Sequence, residues 1–110
     1  MESVVSQEQG VTVLALRGKL DSFSAQGFET KVLGLIEANN LKLIIDCAQL
    51  EYVSSAGLRI FYVVANRLQA AGGKLAFCAV NENIKHVFDI VDLSNEFLIL
   101  PTRAEALRQF

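Results

Sequence analysis

Apolar and polar positions change period several times along the chain, and each change marks an element. Val4-Val5 and the alternating Val11-Thr12-Val13-Leu14-Ala15-Leu16 flank a polar break at Gln7-Glu8-Gln9-Gly10. This pattern predicts two antiparallel strands joined by a glycine-containing turn at a sheet edge. The period breaks over Arg17-Gly18-Lys19-Leu20-Asp21-Ser22. Phe28, Val32, Leu35 and Ile36 then recur at helical spacing. They predict a helix that starts near Ser22 to Ser24, whose hydroxyls can cap its first N–H groups, and that ends at Asn39-Asn40. Gly27 and Gly34 inside it each cost about 1 kcal/mol relative to alanine. Packing must hold this helix, and a close backbone approach at the two glycines is the expected form of that packing.

Leu41-Lys42-Leu43-Ile44-Ile45 is a short β-branched run ending in Asp46, which predicts a strand covered on both faces. Leu58, Phe61, Ala65 and Leu68 form the stripe of a central helix that stops at Gly72-Gly73. Lys74 to Val80 reads as the next strand. Asn81 can cap a third helix carrying Ile84, Val87, Phe88 and Val91, and Phe97-Leu98-Ile99 is a short strand. Thr102-Arg103-Ala104-Glu105, after Pro101, has the capping-box form and opens a last short helix. The expected architecture is a single α/β domain over residues 1–110: a mostly parallel sheet with an N-terminal antiparallel hairpin and about four helices.

Sites in such sheets lie beyond the carboxyl ends of the strands. Asp46 and the turn Tyr52-Val53-Ser54-Ser55-Ala56-Gly57-Leu58-Arg59 are expected at one such end, with Asp21 joining them if its strand lies beside the third. Two hydroxyls and a glycine thus stand where a helix begins, and free N–H groups there favour negative charge. The turn is a place for an anion, or simply a cap.

Composition narrows the chemistry. Of 110 residues, ten are basic and twelve acidic, for a net charge of −2 with no basic cluster, so a nucleic-acid backbone finds no electrostatic footprint. Cys47 and Cys78 are too few for a disulfide framework or a four-cysteine zinc site and read as buried thiols. The acidic N-terminus lacks the form of a signal peptide and no apolar run is long enough to span a membrane; the expected location is the cytoplasm. A hydrolase would need a base for its serine, and the one histidine, His86, sits beside a helical stripe and reads as a solvent-edge residue. Nucleophile-elbow, phosphate-loop and dinucleotide motifs are missing from the sequence. The reading is therefore a non-enzyme with no metal and no cofactor of its own.

The remaining serine chemistry, beside a plain cap, is modification by another protein. A phosphate on Ser55 adds about −1.5 to −2 charges at a helix start that can accept them, taking the net charge to about −4. Arg59, Asn66 and Arg67 lie off the apolar stripe of the central helix. A standard interface of about 800 Å² per partner would need the loop after Asp21, the serine turn and this helix face together.

Leu43 to Leu58, with Gly18-x-Leu20-Asp21 before it and Gly72-Gly73-Lys74-Leu75 and Asn81 after it, resembles the STAS domain family, the anti-sigma factor antagonists. The likeness runs from about Val4 to Leu107. It implies a cytoplasmic protein that binds an anti-sigma factor with serine-kinase activity when unphosphorylated, lets go when phosphorylated, and is reset by a serine phosphatase. ATP and Mg²⁺ would belong to the kinase. By register Ser55 matches the phosphoacceptor, with Ser54 the second candidate. Taken with the surface patch above, the expected partner-binding residues are Asp21, Ser22, Asp46, Ser54, Ser55, Ala56, Gly57 and Arg59. The chain departs from the family at two places: Ser54 replaces the usual aspartate before the acceptor, and Ala56 replaces a frequent hydroxyl after it. A STAS scaffold with no phosphorylation cycle, serving a transport ATPase or a signalling assembly, is the alternative.

Overall fold

The structure, a computed structural model, describes residues 1–90 and 97–110. Strands β1 (Glu2–Glu8) and β2 (Val11–Leu20) form the expected hairpin. Its two-residue turn, Gln9-Gly10, has φ of 54° and 79°, the double left-handed geometry that matches the twist of paired strands. Then follow α1 (Ala25–Glu37), β3 (Lys42–Val53), α2 (Ser55–Ala70), β4 (Lys74–Cys78), α3 (Glu82–Ile90), β5 (Leu98–Leu100) and α4 (Arg103–Leu107). The strands lie in the order β1-β2-β3-β4-β5, antiparallel at the first pair and parallel at the rest.

Alternation along β2 and β3 builds two cores. Leu14, Leu16, Leu43, Ile45 and Cys47 face α1, α2 and α3, whereas Val11, Val13 and Ile44 face α4. Phe61 of α2 is the hub of the larger core, with ring centroids 6.0 Å from Phe28 of α1, 5.0 Å from Phe77 of β4 and 6.1 Å from Phe88 of α3. This edge-to-face packing fixes how α2, and hence its first turn, sits on the sheet. Cys47 and Cys78 are buried free thiols. Burial pushes the Cys47 thiol far up and Cys78 up to about 12, with Asp46 adding to both, so they remain protonated.

Several boundaries differ from expectation, each for a physical reason. β2 runs through the polar stretch to Leu20, and β3 runs past Asp46 to Val53, because the two pair in parallel over that length with register shifts at Ala15/Arg17 and Gly18/Lys19. Backbone pairing carries these ends where side-chain period does not. α1 begins at Ala25, and the Ser24 hydroxyl caps nothing in it; Ser24 Oγ instead donates to the Lys19 carbonyl at 3.1 Å. Gly27 and Gly34 have open space where a Cβ would stand, so no close approach explains them, and Phe28 and Val32 anchor the helix. β4 ends at Cys78, since Ala79 turns out at φ 55° and donates its N–H to Leu100. Phe97 is not in β5 but stacks on Phe77 at 4.8 Å. Val91 lies outside the described residues. The caps at Asn81 and Thr102 are formed, accepting from the N–H groups of Ile84 at 2.9 Å and Glu105 at 3.1 Å.

Candidate functional site

Parallel pairing brings Leu20 opposite Val53, so β2 and β3 leave the sheet at the same end. The Ser54 N–H donates to the Leu20 carbonyl at 2.8 Å, which stitches the loop after β2 to the start of α2. Asp21 and the serine turn are therefore neighbours, as the sequence suggested. Ser54 is the N-cap of α2: it is extended (φ −82°, ψ 172°) and its half-buried Oγ accepts from the Gly57 N–H at 3.2 Å. Ser55, the first helical residue, is exposed, and α2 has no acidic residue in its first turn. The two hydroxyls thus have different work: that of Ser54 holds the helix, and that of Ser55 faces water.

Gly57 is required here by contact. A Cβ on it would come within 2.8 Å of Leu20 Cγ and 3.0 Å of Val53 Cγ1, so any side chain would lift the first turn of α2 off the strand ends. Ala56 is half-buried against the core and Leu58 is buried. Ser55, Arg59, Tyr62 and Asn66 follow at i, i+4, i+7 and i+11, and all four are exposed, forming one stripe along the outer face of α2.

The loop before α1 is organised by Asp21. Its Oδ1 accepts from the N–H groups of Phe23 at 3.0 Å and Ser24 at 3.1 Å and lies 3.2 Å from Ser24 Oγ. The Asp21 N–H in turn donates to Ser24 Oγ at 3.0 Å. These bonds, the Ser24 N–H foremost, hold the Asp21 carboxyl below the ordinary carboxylate range. Ser22 is exposed in this turn and Phe23 stands 95% exposed beside it.

Asp46 is not part of this site. It lies within β3, paired across to Ala15 and Cys78, on the face covered by α4. Its Oδ2 accepts from Arg103 Nε at 2.8 Å and lies 2.7 Å from Arg103 Nη2, while Arg103 Nη1 reaches Glu8 at 2.8 Å. The carboxylate expected at a strand end beside Ser55 is thus a nearly buried anchor for α4, and the Asp46 bonds raise the pKa of Arg103. The residues that sequence reasoning missed are Phe23 and Tyr62. Phe23 is five positions before Phe28, out of phase with the buried stripe of α1, and that mismatch is the signal that it faces outward. Among the described residues no group of three His, Cys, Asp or Glu could hold a metal ion. His86 is exposed on α3 in a surface hollow with Glu82, Lys85 and Asp89.

A family model, the STAS domain, matches residues 2–106. The chain belongs to the STAS domain family. Among relatives of this STAS domain is BtrV of Bordetella bronchiseptica, a candidate anti-sigma factor antagonist, 26% identical over 110 residues that cover 100% of this chain and 95% of BtrV. Among solved structures, a candidate anti-sigma factor antagonist from Thermotoga maritima superposes with a TM-score of 0.93 at 19% identity, covering 97% of this chain and 92% of that one. The Bacillus cell-fate determinant SpoIIAA in its phosphorylated form superposes with a TM-score of 0.78 at 18% identity, covering 98% of each chain. These superpositions establish the shared fold. No helix among the described residues is long and apolar enough to cross a membrane.

Proposed function

We propose that this STAS domain is an anti-sigma factor antagonist that works as a phospho-switch in the cytoplasm. Unphosphorylated, it binds an anti-sigma factor with serine-kinase activity through the loop from Asp21, the serine turn and the outer stripe of α2. Phosphorylation of Ser55 releases it, and a serine phosphatase restores it. The chain itself catalyses nothing; ATP and Mg²⁺ are the partner's. The observation that carries this reading is the division of labour between adjacent serines, with Ser55 exposed at the first position of α2 and Ser54 committed to its cap.

The same geometry accounts for the family departure at Ser54. An aspartate there could accept the Gly57 N–H as the serine does, so the cap survives the change, and a phosphate on Ser55 meets no carboxylate immediately before it. Arg59, one turn along the helix, is placed for an i,i+4 pair with that phosphate, in the favourable order of acid before base. A partner that used Arg59 would then lose it as the phosphate arrived.

Incubation with an anti-sigma factor kinase from the same organism and ATP is expected to add one phosphate, located on Ser55 by mass spectrometry and lost in Ser55→Ala. Ser55→Asp should weaken kinase binding at least tenfold while leaving stability within about 0.5 kcal/mol, because the side chain is exposed. Phosphate on Ser54, or equal binding by wild type and Ser55→Asp, would count against the switch. Tight binding without any phosphorylation would favour the scaffold alternative.

A further inference from the structure

We infer that Phe23 is the apolar anchor of the kinase interface, inserting its ring into a hydrophobic socket beside the active site of the anti-sigma factor kinase. This inference rests on the proposed phospho-switch and names the residue that gives its interface affinity. Phe23 is 95% exposed, whereas the other described phenylalanines are buried or half-buried. An aromatic ring held in water has an unfavourable hydration that a partner can relieve, and such rings dominate interface energetics.

Two observations point to this occupant. The first is place. β2 and β3 run parallel and leave the sheet together, Leu20 opposite Val53, so Phe23 and Ser55 lie three and two residues beyond paired ends. Those spans are at most about 11 Å and about 7 Å of chain. A patch of about 800 Å² has a radius of about 16 Å, so a kinase closing on Ser55 Oγ covers this loop as well.

The second is rigidity. The Asp21 carboxylate takes the Phe23 and Ser24 N–H groups, Ser24 Oγ ties back to the Lys19 carbonyl, and the Ala25 N–H donates to the Asp21 carbonyl at 2.9 Å. The backbone that carries the ring is thus fixed before any partner arrives, so little ordering entropy is lost on docking. Asp21 acts in this interface through Phe23, as a positioning residue.

The test uses the full chain and the purified kinase that phosphorylates its wild-type form on Ser55. Phe23→Ala should weaken equilibrium binding about 30-fold, chiefly through faster dissociation, equivalent to about 2 kcal/mol. It should raise the KM for phosphorylation and leave kcat unchanged, because the ring binds the partner and touches no reacting atom. Phe23→Leu should recover most of the loss. Val4→Ala, which trims an exposed valine on the edge strand, should bind as wild type does. Melting temperatures of all three should match the wild type. Binding by Phe23→Ala within threefold of wild type would overturn the anchor while leaving the phospho-switch intact. So would a concentration-dependent dimer that Phe23→Ala abolishes with no change in kinase affinity. A wild-type chain that no kinase binds or phosphorylates would overturn both.

Discussion

Two regions of this domain both carry charged and hydroxyl side chains, yet they are built on opposite terms. Under α4, Asp46 is nearly buried and every group meets a partner: Arg103 joins Asp46 in the sheet to Glu8 at the hairpin. At the serine turn, Asp21 and Ser54 are satisfied by backbone N–H groups, while Ser55, Arg59 and Phe23 beside them face solvent. Saturated polar networks fasten elements to the sheet. Where the backbone alone is saturated and the side chains are left over, the surface is ready for another molecule.

Removing Arg103 should break the first region most. Arg103→Ala strands the Asp46 carboxylate, and urea denaturation should show a loss of about 2 kcal/mol, below the 3–5 typical of fully buried pairs because Arg103 keeps contact with water. Kinase binding by the folded variant should be unchanged. A smaller effect separates the two serines. Ser54→Ala removes the cap and should cost about 1 kcal/mol, against less than 0.5 for Ser55→Ala. Equal costs would erase the division of labour between them. Smallest is the response of the Asp21 loop to acid. Its carboxyl is held below the ordinary range, so the loop's hydrogen bonds are fully present above the unfolded pKa, near 4, and are lost as pH falls through the lower folded value. Amide resonances of Phe23 and Ser24 followed by NMR should shift together in that acid window.

Much of this was legible in the chain. Period-two alternation over Val11 to Leu16 and period-3.6 spacing through Leu58, Phe61 and Leu68 survive because one face of each element is buried. The far ends of β2 and β3 were not legible, since Arg17 to Lys19 and Gln49 to Tyr52 pair through their backbones and leave no apolar period. Asp46 was misplaced for a related reason. Its partner lies 57 positions later, and an ion pair at that separation writes nothing into the local sequence. Ser54 and Ser55 could be found by spacing, but which hydroxyl caps and which is free depends on a hydrogen bond. Phe23 belongs to no element's stripe, and only the three-dimensional loop gives it a role.

The strand order has a kinetic consequence. Each strand pairs with the one made just before it, so the sheet can extend in the order of synthesis, closing only short loops at each step. Arg103 is the exception, reaching back 95 positions to Glu8. Helix α4 therefore acts as a latch: the sheet can grow strand by strand, but its first strand is clasped only once Arg103 has been made.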